Sequence, residues 1–165
     1  MSDRMSIRTA RADELTEVGE LSLIAYRAEG LAPEGNQYAD RLTDAVSRHR
    51  EAELLVAADH TGRLLGTVTV ARPGTPWAQV AGPDEIEFRM LAVHPDGRGR
   101  GIGRALVDSV LDRARVEGFR GVALSTMESM RAAHHLYERI GFRRAPHRDW
   151  RPNERVTLWV FELAF

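Results

Sequence analysis

Apolar residues recur along the chain with two periods, one typical of strands and one typical of helices. An alternating run at 5–10 predicts a short first strand. A spacing of three and four residues then predicts a helix over 13–28, followed by a loop over 31–37. The buried stripe of this helix is expected to consist of Leu15, Val18, Leu21, Ile24 and Ala25.

The middle of the chain predicts a second helix, three strands and one long loop. The helix covers 38–50, with Leu42 and Val46 buried. The predicted strands are 54–59, 64–71 and 85–93. The first two form a hairpin, because a turn of only four residues separates them. Three prolines and two glycines in 72–84 predict a long loop, and loops of this length are often functional.

The last third of the chain predicts a helix, a strand, a second helix and two closing strands. The first helix runs over 101–117 and ends at Gly118. Its buried positions are expected to be Ile102, Leu106, Val110 and Ala114. A buried strand at 122–126 precedes a helix with Ser129 as N-cap, and the closing strands lie around Phe142 and at 156–165. A right-handed crossover makes the strands at 85–93 and 122–126 parallel neighbours.

Composition limits what this chain can be. Its 165 residues are 43% hydrophobic and 28% charged, which predicts one mixed α/β domain over 1–165. The net charge of −1 lacks the basic excess of generic nucleic-acid binding, so no nucleic-acid partner is expected. No run reaches the roughly 20 apolar residues of a membrane span, so we expect a soluble, cytoplasmic protein without a membrane partner. Without cysteine, and without histidines at ligand spacing, no metal is predicted.

The clearest chemistry lies between the strand at 85–93 and the helix at 101–117. Three glycines alternate there with arginines. Glycine lets main-chain N–H groups converge on an anion at a helix N-terminus, and arginine adds positive charge, so the segment predicts a diphosphate site. The dinucleotide motif GxGxxG is excluded, because Arg104 and Leu106 stand where its last glycine is required. A P-loop is excluded because the chain contains no lysine.

Two motifs resemble those of the GNAT (GCN5-related N-acetyltransferase) superfamily. The first is the acetyl-CoA signature Arg/Gln-x-x-Gly-x-Gly/Ala at 98–103, directly after an L-x-V-x-P strand end at 91–95. The second is A-x-x-L-Y-x-x-x-G-F, matched by Ala133, Leu136, Tyr137, Gly141 and Phe142. The resemblance implies a mixed central sheet of about six to seven strands flanked by about four helices. Two central parallel strands would splay around the cofactor.

The same resemblance implies acetyl-CoA as co-substrate and names the residues that bind it. The main chain of Leu91 and Val93 would pair with the pantetheine arm. The pyrophosphate would be bound by Arg98, Gly99, Arg100, Gly101, Ile102, Gly103 and Arg104. The implied activity is N-acetyl transfer, in which the acetyl group passes directly to a primary amine of a small molecule or peptide.

Two side chains are the catalytic candidates that the resemblance implies. Tyr137 matches a tyrosine that can protonate the leaving thiolate in relatives, although a tyrosine on an apolar helix face is also a common core residue. Glu87 stands where many relatives carry a general base, although it is equally compatible with an exposed strand position. Glu85 competes with it, and a bulge in the strand would decide between them. Met130 replaces an asparagine found in many relatives.

Two other functions stay open from the sequence. A catalytically silent GNAT-like domain would bind CoA as a sensor or assemble with a partner, a hypothesis motivated by Met130. An arginine-rich RNA-binding module is suggested only by 143–155. Asp149 and Glu154 dilute the charge of that segment. We therefore expect it to form a solvated loop that borders the acceptor site or a homodimer contact.

Overall fold

A computed structural model describes residues 5–32 and 37–165. These residues form eight strands and five α-helices, which confirms the mixed α/β class. The chain divides into two compact units: one contains the chain up to Val70 and Met90–Ser109, and the other contains Ala71–Arg89 and Val110–Phe165. In neither described range is there a helix of the length and apolarity that crossing a bilayer requires.

The first unit is built on antiparallel strands. They are β1 (Ser6–Thr9), β2 (Glu53–Ala58) and β3 (Leu64–Ala71). β1 pairs with β2, and β2 pairs with β3 with Leu55 opposite Val68, so the predicted hairpin is confirmed. Both hairpin strands are buried almost throughout, including Thr67 and Thr69 of β3.

Three helices belong to the same unit. They are α1 (Leu15–Ala28), α2 (Gln37–Thr43) and α3 (Ala45–Glu51). The carboxylate of Glu14 fixes the start of α1, because it accepts two hydrogen bonds of 2.8 Å from the guanidinium of Arg8 and one from the N–H of Arg11. The predicted loop over 31–37 lies largely outside the described residues.

The single helix predicted over 38–50 is wrong, because Asp44 divides it. The Asp44 side chain accepts the N–H of Ser47 and caps α3, so the chain restarts a helix there instead of continuing α2. This cap is encoded in the sequence, but the apolar spacing alone does not reveal it.

Two positions predicted to be buried are exposed. Val46 is 57% exposed, because the interruption at Asp44 turns α3 so that Ala45 faces the core instead. Ile24 is 45% exposed, because the buried face of α1 passes through Ser22 rather than through position 24. A three-residue step and a four-residue step both fit the apolar pattern, and packing selects between them.

The longest described helix, α4, and the strand β4 are as predicted. β4 covers Glu85–Val93 and α4 covers Ile102–Val116. The predicted positions Ile102, Leu106, Val110 and Ala114 are all buried. Gly118 follows α4 with a φ of 81°, which suits a helix C-terminus that only glycine accommodates easily.

The second unit is a mixed sheet with one whole helix and the C-terminal part of α4, from Val110 onwards. Its further elements are β5 (Gly121–Met127), α5 (Arg131–Ile140), β6 (Arg143–Arg144), β7 (Trp150–Asn153) and β8 (Val156–Ala164). The predicted parallel neighbours are confirmed, because β4 pairs with β5 from Glu85 opposite Gly121 to Glu87 opposite Ala123. Both strands continue past this short ladder. β5, β6 and β7 each pair antiparallel with β8.

Two expectations for the second unit are wrong. The N-cap of α5 is Met130 rather than Ser129, and no side chain caps it. The segment 143–155 is not simply a solvated loop, because it contains β7 and inward-facing arginines. Arg144 binds both carboxylate oxygens of Asp149 at 2.7 Å, and Asp149 also accepts the N–H of Val160. Charge pairing therefore folds this segment back onto β8.

Gly19→Ala tests the packing of α1 on α2. Alanine normally stabilises a helix interior by about 1 kcal/mol relative to glycine. A Cβ at Gly19 would lie 2.5 Å from the carbonyl oxygen of Thr43, and overpacking costs about 1–3 kcal/mol. We expect a net loss of about 1 kcal/mol in the free energy of unfolding, measured by urea denaturation. Glu20→Ala, at an exposed neighbouring position, is the control, and a variant more stable than wild type would contradict the close approach.

Candidate functional site

The turn between β4 and α4 is fixed by packing around Gly97. The main-chain N–H of His94 donates to the carbonyl of Leu65 at 2.8 Å, and the His94 ring accepts the N–H of Asp96. A Cβ on Gly97 would lie 2.9 Å from Ile102 Cδ1 and 3.2 Å from Leu65 Cβ. The close approach of β3 therefore leaves little room for a side chain at this position.

The next two glycines are required for conformation rather than for space. Gly99 has a φ of 75° and Gly101 has a φ of 73°, a region that costs other L-residues about 1–2 kcal/mol. A Cβ at either position would meet no heavy atom within 4 Å. Gly103 lies in the first turn of α4. Positive φ therefore accounts for two of the three alternating glycines.

The start of α4 presents main-chain donors. The N–H of Ala105 donates to the carbonyl of Gly101 at 3.0 Å, which closes the first helical turn. The N–H groups of the four preceding residues, 101–104, have no acceptor within the helix. They lie where the helix dipole is positive, so this end of α4 favours an anion.

Three arginines belong to the same turn, and two of them, Arg98 and Arg104, form long ion pairs. Arg98 lies 3.6 Å from Glu29, and Arg104 lies 3.7 Å from Asp108. Both pairs are about half exposed, and ion pairs of this kind contribute at most about 1 kcal/mol. Arg100 is exposed and approaches the sulfur of Met5 at 3.8 Å. The weak pairs of Arg98 and Arg104 leave these two guanidinium groups able to turn towards an anionic ligand.

Met90, within β4, has a φ of 53°. Positive φ is uncommon for a residue with a side chain and marks an irregularity in the strand. Beyond it, Leu91 and Val93 are half-buried and alternate with the buried Ala92. Leu91 and Val93 therefore share one face of the strand. The irregularity follows both candidate glutamates, so it does not choose between them.

Glu87 is completely buried, which excludes the exposed strand position considered for it. Its Oε1 accepts the main-chain N–H groups of Gln79, Val80 and Ala81 at 2.7, 2.7 and 3.0 Å. Its Oε2 is also buried and has no hydrogen-bond partner among the described residues. Burial raises the pKa of Glu87, although the three N–H groups act to lower it. A raised pKa and a free oxygen are what a general base needs.

Glu85 has the opposite character. Arg148 binds both of its carboxylate oxygens, at 2.7 and 3.1 Å, and Gly82 donates its N–H to Oε1 at 2.9 Å. Burial acts to raise the pKa of Glu85, but the hydrogen bonds from Arg148 and Gly82 outweigh it, so the pKa is lowered. A carboxylate held in this way is a poor proton acceptor, and Glu87 is the better candidate base.

Tyr137 lies on α5 within an aromatic cluster. The side chain is buried, and its ring centroid lies 5.7 Å from that of Phe88, 5.9 Å from Phe142 and 6.0 Å from Phe161. These distances are typical of favourable aromatic pairs. The ring of Tyr137 therefore packs against Phe88, the residue that follows Glu87 on β4.

Comparison with known proteins identifies the family. The model of the acetyltransferase (GNAT) family matches residues 16–142, most of the chain. This chain belongs to the GNAT family. A GNAT acetyltransferase from Staphylococcus aureus Mu50 has the same fold, with a TM-score of 0.74 and 16% identity over 98% of this chain and 99% of that one.

One further solved structure and one curated protein are also similar to this GNAT chain. A putative acetyltransferase from Salmonella typhimurium, solved with its cofactor acetyl-CoA, has a TM-score of 0.69 and 21% identity over 98% of this chain and 94% of that one. The mycothiol acetyltransferase of Cellulomonas flavigena is 38% identical over 112 residues, which are 63% of this chain and 32% of the relative. The chain thus spans about a third of the length of this curated relative.

Both motifs of the GNAT chain lie inside the matched region, but Arg148 lies outside it. Sequence reasoning missed Arg148 because it placed the arginines of 143–155 in solvent. The available signal was Pro146, which begins a short 3-10 helix, Pro146–Arg148, that turns Arg148 inward.

Met130 and the question of a metal site are the two remaining points raised by the sequence. The sulfur of Met130 accepts a hydrogen bond of 3.5 Å from the hydroxyl of Thr126, so the position of the usual asparagine is occupied by a weak acceptor. Within residues 5–32 and 37–165, no three His, Asp or Glu side chains are arranged to hold a metal ion.

Glu87→Gln tests the buried charge. Because the pKa of Glu87 is raised from 4.5, its ionisation destabilises the folded protein as the pH rises above that value. Glutamine keeps an acceptor oxygen but cannot ionise. We expect the stability of Glu87→Gln relative to wild type to increase as the pH rises, measured by urea denaturation between about pH 3 and pH 8.

Glu85→Gln is the matched control for this measurement. The pKa of Glu85 is lowered, so its charge stabilises the fold above the ordinary pKa, and that stability is lost as the pH falls. The relative stability of Glu85→Gln should therefore decrease as the pH rises. Equal pH dependence in the two variants would contradict the difference between the carboxylates.

Proposed function

We propose that this GNAT chain is an acetyl-CoA-dependent N-acetyltransferase that transfers an acetyl group directly to a primary amine of a small molecule or peptide. The observation that carries the proposal is the turn at 98–104, where Gly99 and Gly101 adopt positive φ before α4. Family membership, the relative named as a mycothiol acetyltransferase and the Salmonella structure with acetyl-CoA support it.

The donor set of this turn fits the pyrophosphate of CoA. Main-chain N–H groups at the start of α4 and the guanidinium groups of Arg98, Arg100 and Arg104 are all donors, and no carboxylate belongs to the turn itself. The main chain of Leu91 and Val93, on one face of β4, would bind the pantetheine arm. The proposed cofactor contacts thus lie along one continuous stretch of chain.

The proposed chemistry requires two proton transfers. When bound, acetyl-CoA supplies a thioester whose carbonyl carbon the amine nitrogen attacks, so that a C–N bond forms and the C–S bond breaks. Glu87 accepts the proton that the amine loses, and its free Oε2 is the atom available for it. The hydroxyl of Tyr137 would donate a proton to the departing sulfur, and the turnover is balanced when Glu87 gives up the proton it gained and Tyr137 regains one.

Two organisational predictions belong to the same proposal. The single domain over 1–165 is supported by the family match, which runs through 16–142. A homodimer contact at 143–155 would use the exposed side chains of that segment, such as Arg151 and Glu154. The RNA-binding hypothesis loses support, because Arg144 and Arg148 bind carboxylates within the chain.

A second candidate function is a catalytically silent GNAT domain that binds CoA as a sensor. Two observations favour it: Oε1 of Glu87 is occupied by three main-chain N–H groups, and Met130 replaces a polar residue of the family pattern. Such a domain would bind CoA without turnover. The two candidates therefore share the turn at 98–104 and differ in what Glu87 and Tyr137 do.

Gly101→Ala should weaken CoA binding. Alanine at a φ of 73° costs about 1–2 kcal/mol, and relaxation of that strain would move the N–H groups of the turn, so we expect about a tenfold rise in Kd by titration calorimetry. Gly118→Ala is the matched control, because Gly118 has a similar φ of 81° and open space for a Cβ, but lies at the other end of α4. Unchanged CoA affinity in Gly101→Ala would remove the turn from the binding site.

Tyr137→Phe separates the two candidate functions. If Tyr137 donates a proton in the reaction, thiol release with a panel of amines should fall about a hundredfold while CoA affinity is kept. Tyr26→Phe, on α1, is the control. Undiminished turnover would exclude Tyr137 as the acid. A wild-type protein that binds CoA tightly and releases no thiol with any amine would favour the sensor.

A further inference from the structure

The loop before β4 is held through its main chain by the side chains of two glutamates and one arginine. Glu87 accepts the N–H groups of Gln79, Val80 and Ala81, and Glu85 accepts the N–H of Gly82. Arg148 donates to the carbonyl of Val80 at 2.7 Å. We call residues 79–82 the anchored segment, because each of its residues is bonded to one of these charged groups.

Arg148 connects this segment to the sheet. Beyond Val80 and the two oxygens of Glu85, it binds Oε2 of Glu162 on β8 at 2.6 Å. Its side chain is only 20% exposed, so these bonds are poorly screened by water. Bidentate, charge-assisted bonds of this kind fix geometry more strongly than neutral ones.

The other end of the loop is held by a second arginine of the same unit. Arg89 donates to the carbonyl of Trp77 at 3.3 Å, and its guanidinium lies 5.5 Å from the centre of the Trp77 ring. Cation–π contacts at this distance are favourable. The stretch from Trp77 to Gly82 is thus fastened at both ends, which is unusual for a segment that opens and closes over a ligand.

We infer that Arg148 is a positioning residue: by binding Val80 and Glu85 together, it keeps the anchored segment on Glu87 and makes the loop a fixed wall beside that carboxylate. The identification of this wall with the amine-acceptor side rests on the proposed function. The coupling between Arg148 and the loop rests only on the hydrogen bonds described.

The coupling follows from charge. Glu85 and Glu162 both bind the same guanidinium, so removal of Arg148 leaves two carboxylates facing each other without a cation. Like charges repel, and Glu85 would turn towards water. Gly82 would then lose its acceptor and Val80 its donor, which releases the anchored segment from one side.

Hydrogen exchange on the full chain without ligand tests this coupling. In Arg148→Met, the amides of 79–82 should exchange about tenfold faster or more, the factor expected when a charge-assisted hydrogen bond is lost. Arg148→Lys keeps the charge but loses the planar guanidinium that binds two oxygens at once, so an intermediate increase in the exchange rate is expected. Glu162→Gln removes one partner of Arg148 without touching the loop, and exchange at 79–82 should stay as in wild type.

Exchange in α1 reports whether a variant is destabilised as a whole. If Arg148→Met does not fold, Arg148→Lys decides alone. Wild-type exchange at 79–82 in the folded Arg148 variants would overturn the inference. An equal increase in Glu162→Gln would also overturn it, because the effect would then not pass through Glu85 and Val80.

Steady-state kinetics test whether the loop lies on the amine-acceptor side. With an amine that the wild type acetylates, Arg148→Lys should raise the KM for that amine several-fold and leave the Kd for CoA unchanged. Equal loss of amine and CoA affinity would overturn the assignment to the acceptor side. If the wild type acetylates no amine, the proposed catalytic function fails, while the exchange experiment still decides the role of Arg148.

Discussion

A carboxylate removed from water must be compensated by hydrogen bonds, and Glu87 imposes this requirement on the second unit. The chain meets it with three main-chain N–H groups of one loop on one oxygen. That solution draws the loop against β4 and brings Val80 within reach of Arg148. The position of the loop therefore depends on a single buried carboxyl group, and Arg148 links that loop to the arginine-rich segment.

In the first unit, four glycines determine the geometry at the start of α4. At Gly66 and Gly97 a side chain would collide with Ile102, so these residues let α4 approach β3 closely. At Gly99 and Gly101 there is space, and it is the left-handed backbone that requires glycine. Gly66 and Gly97 allow the start of α4 to pack against β3, and Gly99 and Gly101 allow the backbone turn that leads into α4. Together they hold the N–H groups of the turn in place before any ligand arrives.

The sequence predicted what local periodicity and motif spacing can determine. The bounds of β4 and α4, the hairpin and the turn at 98–104 were all accessible, because each depends on neighbouring residues. The break at Asp44 was not, because a single capping hydrogen bond outweighs the apolar pattern there. The role of Arg148 was not accessible either, since its partners Val80 and Glu85 lie 68 and 63 residues away in the chain. Long-range charge pairing leaves no period in a sequence.

The anchoring of residues 79–82 has an evolutionary consequence. The bonds to Glu87, Glu85 and Arg148 use the N–H and C=O groups of the loop and none of its side chains. Every amino acid except proline offers the same N–H group, so the side chains of the loop can drift while its path is preserved. Point substitutions in this loop can therefore change substrate preference in descendants of such a protein while the backbone of residues 79–82 keeps its path.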